Sequence, residues 1–431
     1  MPQTNALALA LNAELSADGC LIYNMLSQRG KTAYFPSKGI LGQSAEAKST
    51  TINATIGTAI EEDGSPLSLE CMEETINLPS ESFLYMPSFG SPKLRTMWRK
   101  LMVEKNPSLA EKSFSQPVVT SALTHGLSVA GYLFLDPEDQ VILPDLFWDN
   151  YELVFTEAYG AKLKFYNTYD GDSYNVNALA QALAGPVGKK VLLLNFPNNP
   201  TGYTITQKEA DEIIAVLKKS ADAGNQVVVL LDDAYFGLAY NDEVIKESLF
   251  APLADLHENI LAVKLDGPTK EDYVWGFRVG FITFAFKNAT EVQLKALENK
   301  AAGVVRGTIS NASSISQATL LKGYEKENYA EQKAQKFAIL RRRFDKIIEV
   351  LAAHPEYAES FTPMPFNSGY FMCVRLNGAD PETVRQVLIK DFSTGVIVLS
   401  GLVRLAFSAV AHTKIEQLFA NLHAAVQKVK G

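Results

Sequence analysis

The sequence predicts an α/β protein: a large domain with a mainly parallel sheet covered by helices, plus a smaller α+β domain drawn from both chain ends. Two observations carry that expectation. Between residues 140 and 286, short β-branched runs alternate with helical patterns, which is the mark of βαβ units. And 431 residues, 47% of them hydrophobic, exceed what a single core usually serves.

Residues 140–143 (QVIL), 161–165 (AKLKF), 190–195 (KVLLLN), 226–231 (QVVVLL) and 260–265 (ILAVKL) have the length and apolar character of strands buried on both faces. Residues 278–286 (RVGFITFAF) form a further strand. Residues 206–224 read as a helix between two of them. Thr206 followed by Glu209 is a capping box, apolar residues recur at helical spacing, and Gly224 suits a C-terminal cap. Downstream, 312–350 predicts one or two long helices ending near His354 and Pro355, and 368–376 with 396–408 predicts strands of the smaller domain. The first ~80 residues are expected to pack with that domain. The expected division is 1–84, an N-terminal segment belonging to the small domain; 85–325, the large domain; and 326–431, the C-terminal small domain.

Composition narrows the function classes. Charges are well mixed and the net charge is -8, which argues against a general nucleic-acid binder. Five histidines are scattered with none at metal-ligand spacing, so no metal site is expected. Three cysteines, Cys20, Cys71 and Cys373, are far apart and odd in number, which suits a reducing compartment. Residues 1–11 lack a basic leader region, and no apolar run approaches the ~18 residues of a membrane span. The expectation is a cytoplasmic protein with no membrane partner.

Chemistry gathers at the ends of the apolar runs. NFPNNPTG (195–202), LLDDAYFG (230–237) and DGPTKEDYVWGFRVG (266–280) present an amide, a carboxylate, a phenol, a lysine and an arginine in that order. Asn199, Asp232 and Lys270 each fall at or just beyond a strand's C-terminal end, where open α/β sheets bind ligands, so they can converge. Asp233 rivals Asp232, but neighbours in a strand face opposite ways and only one can serve.

In order and spacing these motifs resemble the fold-type-I pyridoxal-phosphate enzymes, and within them the class I and II aminotransferases of the aspartate aminotransferase kind. The likeness runs from about residue 53 to residue 404 and is strongest over 195–280. It implies a PLP-transferase type I fold and pyridoxal 5'-phosphate as cofactor. Lys270 is then the lysine that condenses with the cofactor aldehyde and later moves the substrate's α-proton; desolvation and nearby cations suit a lysine to that task. Asp232, chosen over Asp233 by the D-x-A-Y pattern, faces the pyridine nitrogen and keeps it protonated. Tyr235 and Asn199 hold the phenolic oxygen. Arg278 anchors the phosphate with its planar fork. TSALTHGL (120–127) completes the cup through the amides of Leu123 and Thr124 and the Thr124 hydroxyl. Ala122 with Leu123 departs from the family's glycine or serine, and Gly267 stands where it has serine; one phosphate contact is then either absent or supplied by Thr269.

The same likeness places Trp148, in PDLFWDNY, on the pyridine face. Tyr85, in YMPSFGSPKLR, reaches a neighbouring subunit's phosphate, so a homodimer with shared active sites is implied. Arg404, in LVRLAFS, grips the substrate α-carboxylate; Arg375 competes but lacks the family context. NATIG (53–57) forms a substrate-side loop, with Gly57 allowing close backbone approach. Arg306, in VVRGTISNA, resembles the site that binds a distal carboxylate. The implied activity is a ping-pong aminotransferase of amino-acid metabolism, acting on an L-amino acid and a 2-oxo acid with a dicarboxylic or aromatic partner. A lyase, decarboxylase or cyclopropane-forming synthase on the same scaffold is the nearest rival. A cofactor-sensing DNA regulator lacks a basic helix-turn-helix in 1–80, and a nucleotide-binding enzyme lacks G-x-G-x-x-G or a P-loop.

Overall fold

The computed structural model describes residues 5–16, 26, 31–32, 39–73, 78 and 80–431. Cys20 lies outside them. Seven strands form the central sheet: β1 (Val118–Thr120), β2 (Gln140–Pro144), β3 (Lys162–Tyr166), β4 (Lys189–Asn195), β5 (Gln226–Asp232), β6 (Ile260–Asp266) and β7 (Gly280–Ala285). Their order is β1-β7-β6-β5-β4-β2-β3. From β6 to β3 every neighbouring pair is parallel, whereas β7 runs antiparallel to both β1 and β6. The run at 278–286 starts as a strand only at Gly280, because Arg278 is left-handed, with φ 54°, and cannot begin one.

The double-sided burial read from sequence is present. Along β4, Val191 and Leu193 enter one apolar cluster while Leu192 and Leu194 enter another on the opposite face. Helices packed around this sheet include α1 (Pro92–Lys105), α2 (Ala122–Phe134), α3 (Gln207–Asp222) and α4 (Glu291–Thr308). α2 and α4 lie against β7 and one another. On the other face α1 inserts Trp98, whose ring stacks on Phe281 at 4.4 Å. A buried tryptophan of this kind contributes ~3–5 kcal/mol relative to alanine. α3 carries the predicted capping box, Thr206 and Glu209 each holding the other's backbone, and Gly224 follows it at φ 92°.

α5 (Ser314–Tyr324) and α6 (Tyr329–Ala353) then lead to a second sheet. Its strands are β8 (Phe361–Pro363), β9 (Met372–Leu376), β10 (Ile397–Leu399) and β11 (Leu402–Leu405), in the order β8-β9-β11-β10 and antiparallel throughout. α7 (Pro381–Phe392) and α8 (Ile415–Lys430) pack on each other beside it. Early residues join this part of the chain. Ile52 and Asn53 pair in parallel with Thr394 and Gly395, and Gln43 exchanges two hydrogen bonds with the Val398 backbone. No helix among the described residues is long and apolar enough to cross a membrane.

Candidate active site

Where β4, β5 and β6 end, a cavity of about 370 Å³ opens, walled by their terminal residues and by segments from both sheets. Asn195 closes β4 and Asp232 closes β5; the Asn195 amide donates to the Asp232 carbonyl at 2.7 Å and accepts from the Asn199 N–H at 2.8 Å. That pair sets the turn that carries Asn199 into the cavity.

Asp232 lines the cavity, while Asp233 turns the other way to Lys264 and to the Ser248 hydroxyl. The alternation of strand side chains thus separates the two acids. One Asp232 oxygen accepts from the Tyr151 hydroxyl at 2.7 Å and the other from the Ala234 N–H at 3.2 Å. Burial pushes the Asp232 carboxyl up to about 6, against the downward pull of Tyr151 and of Lys270.

Lys270 sits in the single turn Pro268–Glu271, its carbonyl held by the Tyr370 hydroxyl at 2.7 Å. Its ammonium lies 5.0 Å from the Tyr235 ring centroid. Burial lowers the amine to about 8; Asp232 opposes the shift and Arg278 adds to it. Tyr235 is held protonated by burial, with Asp232 adding to that effect and Arg404 opposing it. Arg404 reaches in from β11, donating to the Asn199 amide oxygen at 3.0 Å and to the Thr55 carbonyl at 3.2 Å, with its guanidinium 4.3 Å from the Phe371 centroid. Its Nε is buried with no partner among the described residues. Arg375, on β9, points its exposed side chain elsewhere and does not line the cavity. Gly57 lines the wall beside Thr55 and Ile56.

Leu123, Thr124, Thr269 and Arg278 all line the cavity, and together they could hold an anion. The N-terminus of α2 is open, since the Ser121 side chain does not cap it, and its free N–H groups favour negative charge. Ala122 adopts φ 63° to turn the chain, and Gly280 lets it approach: a Cβ on Gly280 would stand 2.6 Å from the Ala122 carbonyl carbon. The Thr269 hydroxyl is buried without a partner among the described residues. Trp148 forms another wall, edge-to-face with Tyr151 at 5.5 Å.

Two predicted residues are not in this chain's cavity. Tyr85 is 93% exposed, beside the exposed Phe83 and Leu84. Arg306 lies in the last turn of α4, exposed, donating to the Ser310 hydroxyl at 2.8 Å. Sequence reasoning missed Tyr151, Asn195, Phe371, Ile40 and Ser44, all of which line the cavity. Tyr151 follows Trp148 by three residues, a spacing that shares one helical face. Asn195 ends a predicted strand as Asp232 does. Ile40 and Ser44 belong to the short helix Ile40–Glu46, for which the sequence offers no comparable signal.

Known proteins resemble this chain in sequence and in fold. The family pattern "Aminotransferase class I and II" matches residues 52–422. The "Probable N-acetyl-LL-diaminopimelate aminotransferase" of Bacillus subtilis is 28% identical over 238 residues, 55% of this chain and 54% of that protein, so the chain spans about half its length. The aspartate aminotransferase of Thermotoga maritima is 26% identical over 312 residues, 70% of this chain and 72% of that one. An aminotransferase structure from Anaerococcus prevotii superimposes with a TM-score of 0.79 at 22% identity, covering 93% of this chain and 98% of the other; that likeness concerns the fold.

Proposed function

Because the chain belongs to the class I and II aminotransferases, we propose that it moves an amino group between an L-amino acid and a 2-oxo acid, with pyridoxal 5'-phosphate held in the cavity of Lys270, Asp232 and Arg404. The observation that carries this reading is their convergence: a lysine brought down to about 8, a buried carboxylate and a carboxylate-binding guanidinium open onto one space. The residues fit the cofactor. The unpartnered Thr269 hydroxyl, the uncapped α2 N-terminus and Arg278 form a cradle for its phosphate.

When bound, the cofactor supplies an electron sink for the negative charge that develops at the substrate's α-carbon. Lys270 provides the amine that fixes the cofactor and, once displaced, an Nζ able to take and return the α-proton. Asp232 would hold a proton on the cofactor's ring nitrogen; the Tyr151 hydrogen bond favours the ionised carboxylate that this needs. The Tyr235 hydroxyl and the Asn199 side-chain NH₂ would donate to the phenolic oxygen, leaving the Asn199 amide oxygen to orient Arg404. Arg404 binds the α-carboxylate through its planar fork, with Gly57 giving the substrate close access to the backbone. Trp148, on the cavity wall, would cover the ring and exclude water.

Tyr85 completes the cup from a second subunit in this reading. The exposed run of Phe83, Leu84 and Tyr85 is the surface through which two copies associate. A distal-carboxylate role for Arg306, exposed on α4, favours a dicarboxylic substrate; the aromatic alternative draws on the apolar wall of Ile40, Ile56 and Phe371. Replacing Lys270 with alanine tests the assignment: the visible absorption that pyridoxal phosphate gains on binding the wild type should vanish. An unchanged spectrum would remove Lys270 from the site.

A further inference from the structure

Behind Lys270, on the side away from the cavity, lies a buried group of charges that the transamination scheme does not use. Glu271 and Asp272 follow the lysine and are 3% and 0% exposed. Each of their four carboxylate oxygens has a partner. Lys105 of α1 meets Glu271 at 2.7 Å, and Lys333 of α6 meets it at 2.6 Å. Lys333 also reaches Asp272 at 2.8 Å, and the hydroxyls of Tyr324 and Tyr329 donate to Asp272 at 2.8 Å each. Two anions face two cations, so the group is neutral and fully hydrogen-bonded, the condition under which buried charges persist. Burial alone would raise the Glu271 carboxyl, but Lys105 and Lys333 bring it to about 2.

Lys270 needs such support. It rides on one four-residue turn, Pro268–Glu271, which does not hold itself together in isolation. The same face of α6 also holds two segments that adjoin cavity-lining residues. Lys336 pairs with Glu61, and Arg343, buried, donates to the carbonyls of Ile60 at 2.7 Å and Ser408 at 2.6 Å. Those carbonyls belong to the strip that carries Gly57 and to the segment just after Arg404. Lys333 and Arg343 are ten residues apart, about 15 Å along one rigid helix.

We propose that the cage of Lys105, Glu271, Asp272, Lys333, Tyr324 and Tyr329 is a positioning device, with α6 as the rigid link that fixes Lys270 relative to Arg404. It rests on the function proposed above. None of the cage residues touches the cavity, so their effect on catalysis passes through the placement of Lys270. A misplacement of about 1 Å at a reacting group costs up to ~100-fold in rate.

The test compares the full-length wild type with Lys333→Met, Lys333→Arg and the milder Tyr329→Phe. Amide hydrogen exchange of 268–273 is measured first, without cofactor. It should speed up about tenfold in Lys333→Met and return towards wild type in Lys333→Arg. With pyridoxal phosphate bound, the amino-donor half-reaction should slow about tenfold in Lys333→Met, with the donor KM within about twofold of wild type, since Arg404 is untouched. Tyr329→Phe should show the same pattern at smaller amplitude, and it carries the test if Lys333→Met does not fold. A folded Lys333→Met with wild-type exchange over 268–273, or with a wild-type half-reaction, would overturn the proposal, as would a KM effect larger than the rate effect. A wild type that reacts with no amino acid would instead refute the proposed activity, and the exchange measurement would still decide whether the cage holds the turn.

Discussion

At the scale of single residues, the half-buried Lys270 and the buried Asp232 are both desolvated at a cost. The Lys270 amine is brought to about 8 from an ordinary 10.5, so between those values the unfolded chain holds a proton that the native state lacks. Stability of the cofactor-free protein therefore rises with pH from about 8 to 10.5 and is penalised below that window. Replacing Lys270 with methionine should remove the penalty and stabilise the cofactor-free protein at pH 7 by about 1–2 kcal/mol in urea unfolding. No gain would mean that the amine is already well solvated. Asp232 has the opposite sign. Its carboxyl is raised from 3.8 to about 6, so the native state holds the extra proton, and stability falls as pH rises through that window. Tyr151→Phe deletes a hydrogen bond that favours the anion, so the Asp232 titration in the cofactor-free protein should move further up, as read by isotope-edited infrared spectroscopy. A downward shift would contradict the role given to Tyr151. The residues quoted in the sequence motifs were legible because they terminate apolar runs. Tyr151 was missed because a tyrosine after an aromatic pair reads as core. Lys105 and Lys333 were missed because a lone helical lysine reads as a solvated one, and their partners stand 166 and 62 positions away.

At the scale of elements, five strands of the central sheet were readable to within a residue because apolar runs mark them, whereas β1 and β8 were not foreseen. The sense of β7 was not: periodicity shows a strand but not its direction, and the left-handed Arg278 shortened it. The close seat of α2 against β7 yields a prediction of its own. In Gly280→Ala the added Cβ would stand 2.6 Å from the Ala122 carbonyl carbon, so the α2 N-terminus must move outward. Phosphate affinity should fall about tenfold by equilibrium dialysis with pyridoxal phosphate, with a Tm loss of a few degrees. Unchanged affinity would show that the α2 amides take no part in the cup.

At the scale of the whole molecule, the early residues and the C-terminal sheet are stitched together by pairing between Ile52 and Thr394 and between Ala54 and Ala406. The sequence suggested that association, but it gave no sign of the helix Ile40–Glu46 at the cavity mouth. Exposure of Phe83, Leu84 and Tyr85 belongs to this scale as well. Leu84→Asp should turn a dimer into monomers by sedimentation velocity and weaken cofactor binding, because Tyr85 would no longer reach a neighbour's cup. A wild type that is monomeric at micromolar concentration would refute the shared site.

The proposed reaction is read out by the absorption spectrum of the pyridoxal-phosphate-loaded protein, titrated with single L-amino acids in the absence of any oxo acid. Particular donors should bleach the visible band, one 2-oxo acid should be released per site, and an added 2-oxo acid should restore the band. A band that persists with every donor, or bleaching accompanied by ammonia or carbon dioxide, would contradict an aminotransferase and point to a lyase or decarboxylase.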